Sequence, residues 1–410
     1  MTVSEDDPRY PGWRVAVASA VGIFCWAIPP FSFAVFLRPI TAEFGWSRES
    51  ASAAFAVAPL VAALTLPWAG YLIDRVGARR VIIPSLLLGG TAFTLRAFAA
   101  PHFWQLAALF AVTGLAGVGT SPIAYARLVA SWFDARRGFA IGVAVVGSAL
   151  GTMLHPPIAQ ALIGAVGWRQ AHLVLGGFML LVGVPAVIVF VHPRGAAPTG
   201  RAPTAVAGAT ARQGLRSWWF WVLATVLLID SLANSSITIH LPALLSDRGV
   251  GPAQGAIALS AMGLAAVAGR LVTGWFIDRV FAVYVSVALL LASAGGVFLL
   301  INADSLAAGA VAAMLVGFGM GGEGDITPYL LSRYFGLRSF STLYAGAFAA
   351  TGIAWAVGPT LMGRAHDATG SYRSQLVVLV ASLGVGAALM LTLPRYDRRD
   401  EPEPAAGPVR

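Results

Sequence analysis

Long apolar runs alternate with short polar ones along almost the whole chain. Stretches able to cross the roughly 30 Å hydrocarbon core of a bilayer recur at 14–37, 50–73, 81–99, 103–131, 138–163, 170–191, 217–244, 253–277, 282–302, 305–332, 340–363 and 372–393. This pattern predicts an all-α polytopic membrane protein, because a helix satisfies its own backbone hydrogen bonds where water is absent. Twelve crossings put both termini on one side.

The longest internal polar stretch, "HPRGAAPTGRAPTAVAGATARQGLRS", begins at His192 and reads as a flexible linker. It separates six spans from six. The expected organisation is a tail at 1–13, a six-helix bundle at 14–191, the linker at 192–216, a second bundle at 217–393 and a disordered tail at 394–410. The two bundles echo each other. "GYLIDRV" from Gly70 matches "GWFIDRV" from Gly274, and "LRPITAEFG" ending at Gly45 matches "LPALLSDRG" ending at Gly249, each pair 204 residues apart. "GWR" ending at Arg169 and "SYR" ending at Arg373 keep the same offset, while "SWF" ending at Phe133 and "RYF" ending at Phe335 are 202 apart. Four matches in order indicate an internal duplication. Parallel six-span repeats about an axis along the membrane normal build a transporter with a central site between the halves.

Composition sharpens this. Only 11% of the 410 residues are charged and 58% are hydrophobic, against about 25% charged in a soluble domain. A soluble domain on an anchor is thereby excluded. The net charge of +9 raises the question of nucleic acid, but its distribution answers it. All 27 basic residues are arginine, eighteen on the side of the termini and six on the other, with Arg96, Arg127 and Arg270 inside spans. That bias places both termini in the cytoplasm, in what we expect to be a bacterial inner membrane, with no nucleic-acid partner. The one cysteine, Cys25, forms no intrachain disulfide.

"GYLIDRVGARR", between spans 2 and 3, carries Asp74, Arg75, Arg79 and Arg80. Its aspartate is able to cap a neighbouring helix or pair with arginine, so these residues are candidates for a cytoplasmic gate. The second copy adds Asp278 and Arg279, but Phe281 stands where the loop glycine belongs. The alternative is that these charges only set topology. The loop resembles the signature of the major facilitator superfamily. "WFDARRGFAIGVAVVG", 132–147, resembles the span 5 signature of the monocarboxylate transporter family, and Gly12–Trp13 partly resembles that family's entry to span 1. The resemblance extends over the chain's architecture and names no substrate. Within span 5, Gly138, Gly142, Gly147 and Gly151 have the small-xxx-small spacing of close helix contacts.

Ionisable groups at membrane depth are functional candidates by default. Arg270 lies eight residues before Asp278, roughly 12 Å into span 8. Its planar fork suits a carboxylate, and "GRLVTG" matches the span 8 arginine with which monocarboxylate transporters bind their anionic substrate. The resemblance thus implies a substrate-binding Arg270; the alternative is a permanent ion pair with Glu323, Asp325 or Asp230. Two departures limit the likeness. Ala266 stands where some members carry a carboxylate, and Phe31 stands after Pro30 where some carry a lysine.

The segment "GGEGDITPYL", 321–330, places Glu323 and Asp325 deep in span 10. Two residues apart, they point about 200° away from each other on a helix. One is expected to face the central cavity and the other a neighbouring helix or Arg270. Glu323, Asp325 and Asp230 are the candidates for proton coupling, since a carboxyl whose exposure alternates binds and releases a proton; the alternative is a structural charge partner. Tyr125, Tyr329 and Asn234 complete the candidate substrate site. His155 and His240 read as satisfied residues toward the outer side, Pro29 and Pro30 as a break or bend in span 1, and Trp218, Trp219 and Trp221 as an interfacial belt.

These features lead to a secondary active transporter that moves a small organic monocarboxylate by alternating access, coupled to protons and working as a monomer. The competing reading is a proton-coupled exporter of hydrophobic or cationic compounds, with Arg270 structural. No HExxH pair, nucleophile elbow or P-loop occurs, so neither an enzyme nor a nucleotide-driven pump is expected, and no cofactor or metal.

Overall fold

The computed structural model describes residues 5, 7, 9–133, 136–192, 208–277, 279–336 and 338–395. Helices account for nearly all of them: α1 (Pro11–Phe44), α2 (Arg48–Val76), α3 (Ala78–Leu95), α4 (Phe103–Gly119), α5 (Pro122–Ala130), α6 (Arg137–Phe178), α7 (Val184–Phe190), α8 (Ala211–Arg216), α9 (Trp218–Ser246), α10 (Pro252–Ile277), α11 (Ala282–Leu300), α12 (Leu306–Phe335), α13 (Phe340–Thr369) and α14 (Arg373–Leu391). Eleven described stretches are long and apolar enough to cross a membrane. One of them, Phe139–Phe190, has 52 residues, about 78 Å at 1.5 Å per residue and far more than one crossing needs. It breaks at Gly167, where φ is 83° and ψ 161°, a backbone conformation that glycine adopts without penalty. Its two arms are separate crossings, which makes twelve.

Each half has its own core. One cluster of buried side chains runs from Tyr10 to Val191 with a few residues of α9 and α10, and includes the stacked pair Phe33–Phe55 at 4.6 Å. The other runs from Phe220 to Leu393 and borrows Ala34. The duplication is visible in the packing. A Cβ on Gly114 of α4 would lie 2.2 Å from the carbonyl oxygen of Ala58 in α2, and one on Gly317 of α12 would lie 2.1 Å from that of Met262 in α10. Ala58 and Met262 are 204 residues apart, the offset seen in the sequence motifs. Both contacts press backbone against backbone, which only a residue without a side chain permits.

The same rule explains the glycines around the acidic segment. A Cβ on Gly321 would fall 1.8 Å from the Ala266 carbonyl oxygen, one on Gly319 2.0 Å from Ser293 Oγ, and one on Gly322 2.2 Å from Thr273 Oγ1. They seat α12 directly on α10 and α11. In α6, Gly147 and Gly151 make equally close approaches to Ala20 and Ala27 of α1, whereas Gly142 faces open space.

α1 runs through Pro29 and Pro30 as one continuous helix, so these prolines do not break it. The segment expected as a flexible linker ends in order: Gly208 bridges Gly336, and α8 starts with a capping box in which Thr210 and Gln213 satisfy each other's backbone N–H groups. Gly214 then packs α8 on Leu343 of α13. Residues 193–207 and the tail from 396 lie outside the described residues.

Candidate functional site

The halves touch at mid-helix and diverge from there toward the termini. Gly263 of α10 packs on Thr152 and Met153 of α6. Arg270 lies on the same face seven residues on, about two turns nearer the side of the termini, and is exposed. α13 behaves alike. Gly352 packs on Ala63 of α2, while Ala345, seven residues nearer that side, is exposed, as are Phe348 and Ala349 between them. A cleft therefore opens between the halves on the side of the termini, and Arg270 lines it. Toward the opposite side, the rings of Phe31 and Trp355 meet edge to face across the halves, their centres 6.3 Å apart, and form an aromatic floor.

The acidic residues sit differently. Glu323 is buried, and Ser286 Oγ of α11 donates to its Oε2 at 2.8 Å. It therefore faces into the second bundle, not into the cleft. Asp230 of α9 is buried too; Asn234 Nδ2 donates to its Oδ2 at 2.7 Å, while Asp230 Oδ1 and Asn234 Oδ1 have no hydrogen-bond partner. Neither carboxyl takes part in an ion pair among the described residues. Glu323 and Asp230 therefore do not form the alternative ion pair considered for Arg270. Asp325 belongs to α12, but its side chain lies outside the described residues.

Tyr125 is completely buried, with its hydroxyl against Gly22 of α1 and no hydrogen-bond partner. Tyr329 is half-buried under Arg333, whose guanidinium lies 5.2 Å from its ring centre. In this conformation, then, Arg270 is exposed, Tyr329 half-buried, and Tyr125 and Asn234 buried.

Among the residues considered for a cytoplasmic gate, Arg75 is exposed beside Tyr71 and Arg80 is exposed. Arg79 donates to the Ile188 carbonyl oxygen at 2.7 Å within the first half. Arg279 folds over Trp275, 4.1 Å from its ring centre. The Asp74 side chain and Asp278 lie outside the described residues.

The expected aromatic belt is partly visible, with Trp218 and Trp221 exposed. His155 is buried with Nε2 2.8 Å from the Phe24 carbonyl oxygen.

A group that sequence reasoning passed over joins the halves on the side opposite the termini. The Arg48 side chain donates twice to Asp247, at 2.5 and 2.7 Å, and also to the Tyr372 hydroxyl. The backbone N–H groups of Arg48 and Glu49 donate to the two oxygens of Asp367 at 3.1 and 2.7 Å. The only sequence signal was that Arg48 is one of six arginines on that side.

A family model described as Major Facilitator Superfamily matches residues 15–359. Among curated proteins, Monocarboxylate transporter 13 of Bos taurus is 26% identical over 374 residues, covering 89% of this chain and 85% of that protein. Monocarboxylate transporter 11 of Homo sapiens is 26% identical over 420 residues, covering 96% and 86%. A probable sulfoacetate transporter of Cupriavidus necator is 27% identical over 382 residues, covering 83% and 84%. Among solved structures, a bacterial homologue of the human lysosomal transporter Spinster, in an inward-facing and unoccupied conformation, superposes with a TM-score of 0.78 at 16% identity, covering 94% of this chain and 97% of that one. The same homologue in its occupied conformation gives 0.77 at 15% identity.

Proposed function

The chain belongs to the Major Facilitator Superfamily, and on that premise we propose that it carries small organic monocarboxylates across the membrane by alternating access, coupled to protons. It is a transporter similar to monocarboxylate transporters, not an enzyme. The single observation carrying the substrate class is the place of Arg270, an exposed residue on the cleft wall two turns beyond the point where α10 leaves α6. An always-charged, planar donor in a cleft between apolar helices recognises a carboxylate bidentately. The names of relatives, which speak of monocarboxylates and of sulfoacetate, support an anion. With the termini in the cytoplasm, as the arginine bias implies, the cleft faces inward.

Proton coupling is assigned to Glu323 with Asp230. Each is a carboxyl enclosed in the second bundle without an ion-pair partner among the described residues. Enclosing an isolated ionised carboxylate is costly, and a proton removes the charge. Opening and closing the cleft moves α10 and α12 together, because their backbones are in contact, so the environment of Glu323 changes with the transport state.

The test is binding first and transport second. Purified protein is screened by thermal shift against lactate- and pyruvate-like acids, since a ligand that binds the folded state raises its apparent stability. Stabilising acids are expected to lose their effect in Arg270→Ala. Stabilisation only by lipophilic cations, undiminished in that variant, would overturn the carboxylate reading in favour of an exporter.

A further inference from the structure

The contacts opposite the cleft form a single connected group. Ser47 caps α2 with its own side chain, and Asp367 of α13 reaches across from the other half to accept the next two backbone N–H groups, those of Arg48 and Glu49. A helix N-terminus holds unsatisfied donors and the positive end of the helix dipole, so a carboxylate is stabilised there. The Arg48 side chain, in turn, holds Asp247 at the end of α9 through both carboxylate oxygens. It is only 13% exposed and its partner 28%, so water weakens this pair less than the neighbouring Arg38–Asp247 pair, 4.0 Å apart with the arginine 47% exposed.

The group continues inward. Arg48 donates to the Tyr372 hydroxyl, which lies 3.0 Å from His240 Nδ1. His240 Nε2 lies 2.9 Å from the Pro359 carbonyl oxygen and 3.2 Å from Ser52 Oγ of the first half. One tautomer satisfies the row: Nδ1 accepts from the tyrosine and Nε2–H donates to Pro359. Gly363 of α13 lies so close to α2 that a Cβ there would meet the Arg48 backbone at 2.7 Å.

We propose that Arg48, Asp247 and Asp367 form a latch that holds the two halves together opposite the cleft, and that its release admits substrate from that side. The idea rests on the alternating-access part of the function proposed above. Three links meet at the start of one helix: a bidentate pair, a helix cap and a hydroxyl bridge to a buried histidine. All three bridge the same two halves, so rocking the halves apart on this side breaks them together. The latch thus belongs to the conformation seen here, and its loss favours the opposite one.

The experiment reads conformation without substrate. Spin labels are attached to cysteines replacing His102 and Asn302, two exposed positions on the outer loops of the two halves, in a Cys25→Ser background. The distance distribution is then measured in the parent, Arg48→Ala and Asp367→Ala. Both substitutions are expected to add a longer-distance population that the parent lacks, with Arg48→Lys in between. Gly363→Leu, a wedge that touches no charge, is expected to do the same and serves if a charge variant does not fold. Distributions unchanged from the parent in all the folded variants would overturn the latch. Because no ligand is used, that failure is distinguishable from failure of Arg270→Ala to lose acid binding, which would sink the carboxylate reading and leave the latch standing.

Discussion

The two six-helix halves share a frame and differ in what they enclose. Both press a glycine onto a carbonyl of the facing helix, Gly114 on Ala58 in the first and Gly317 on Met262 in the second. The first half encloses a cation. Arg96 is 2% exposed, donates to Thr113 Oγ1 at 2.6 Å and lies 3.9 Å from the ring centre of Phe110. The second half encloses two carboxyls, Asp230 beside the Asn234 amide and Glu323 beside the Ser286 hydroxyl. After a duplication, backbone contacts that permit one residue type persist, whereas charged positions diverge. The cation of the first half is held by the faces of Phe93 and Phe110 and by the Thr113 hydroxyl. The carboxyls and Arg270 all lie in the second half, so the recognition and coupling proposed above would both be concentrated there.

The comparison is tested most severely at the shared frame. Gly321→Leu puts side-chain atoms into the Ala266 carbonyl and is expected to abolish folded protein, since no rotamer relieves a backbone overlap. Gly114→Leu should do the same in the other half, judged by monodispersity on gel filtration. If either half tolerates its leucine, the frames are not equivalent. At the divergent charges the expected loss is functional. Glu323→Gln should keep acid binding in the thermal-shift assay but lose uptake into vesicles driven by a pH gradient, with Asp230→Asn weaker in the same direction. Full pH-driven uptake in both would remove coupling from the second half. A smaller effect is expected at the cation of the first half. Arg96→Met keeps apolar contact, and replacing enclosed ionic groups by fitting apolar ones is often neutral or stabilising. Its melting temperature and acid binding should stay close to the parent, and a loss of binding would mean that the first half shares in recognition. The smallest change is Gly142→Ala. Its Cβ would meet nothing within 4 Å, so helix propensity alone should raise stability by about 0.5–1 kcal/mol.

Much of the fold was legible because the bilayer imposes a length and a polarity on each crossing. The spans, the duplication and the break between spans 5 and 6 were visible as runs of residues, and the depth of Arg270, Glu323 and Asp230 followed by counting. The glycines around Glu323 were visible as well, although their partners were not. The candidate gate was sought on the side of the termini, where charged motifs are dense. The latch escaped notice because Arg48 is 199 residues from Asp247 and 319 from Asp367, and the repeated stretch that contains Asp247 spoke only of the duplication.

The sequence by itself determined how many times the chain crosses the membrane, which stretches of the two halves correspond and where along its span each charge stands. These are properties of rise along a helix axis and of transfer from water to hydrocarbon, and both act locally. Only the tertiary structure decided which way each helix is turned about its axis. That rotation depends on which neighbour offers a carbonyl, a hydroxyl or an empty space to a given face. It sends Glu323 toward Ser286, leaves Arg270 on the cleft wall, and brings Arg48 to two aspartates of the other half.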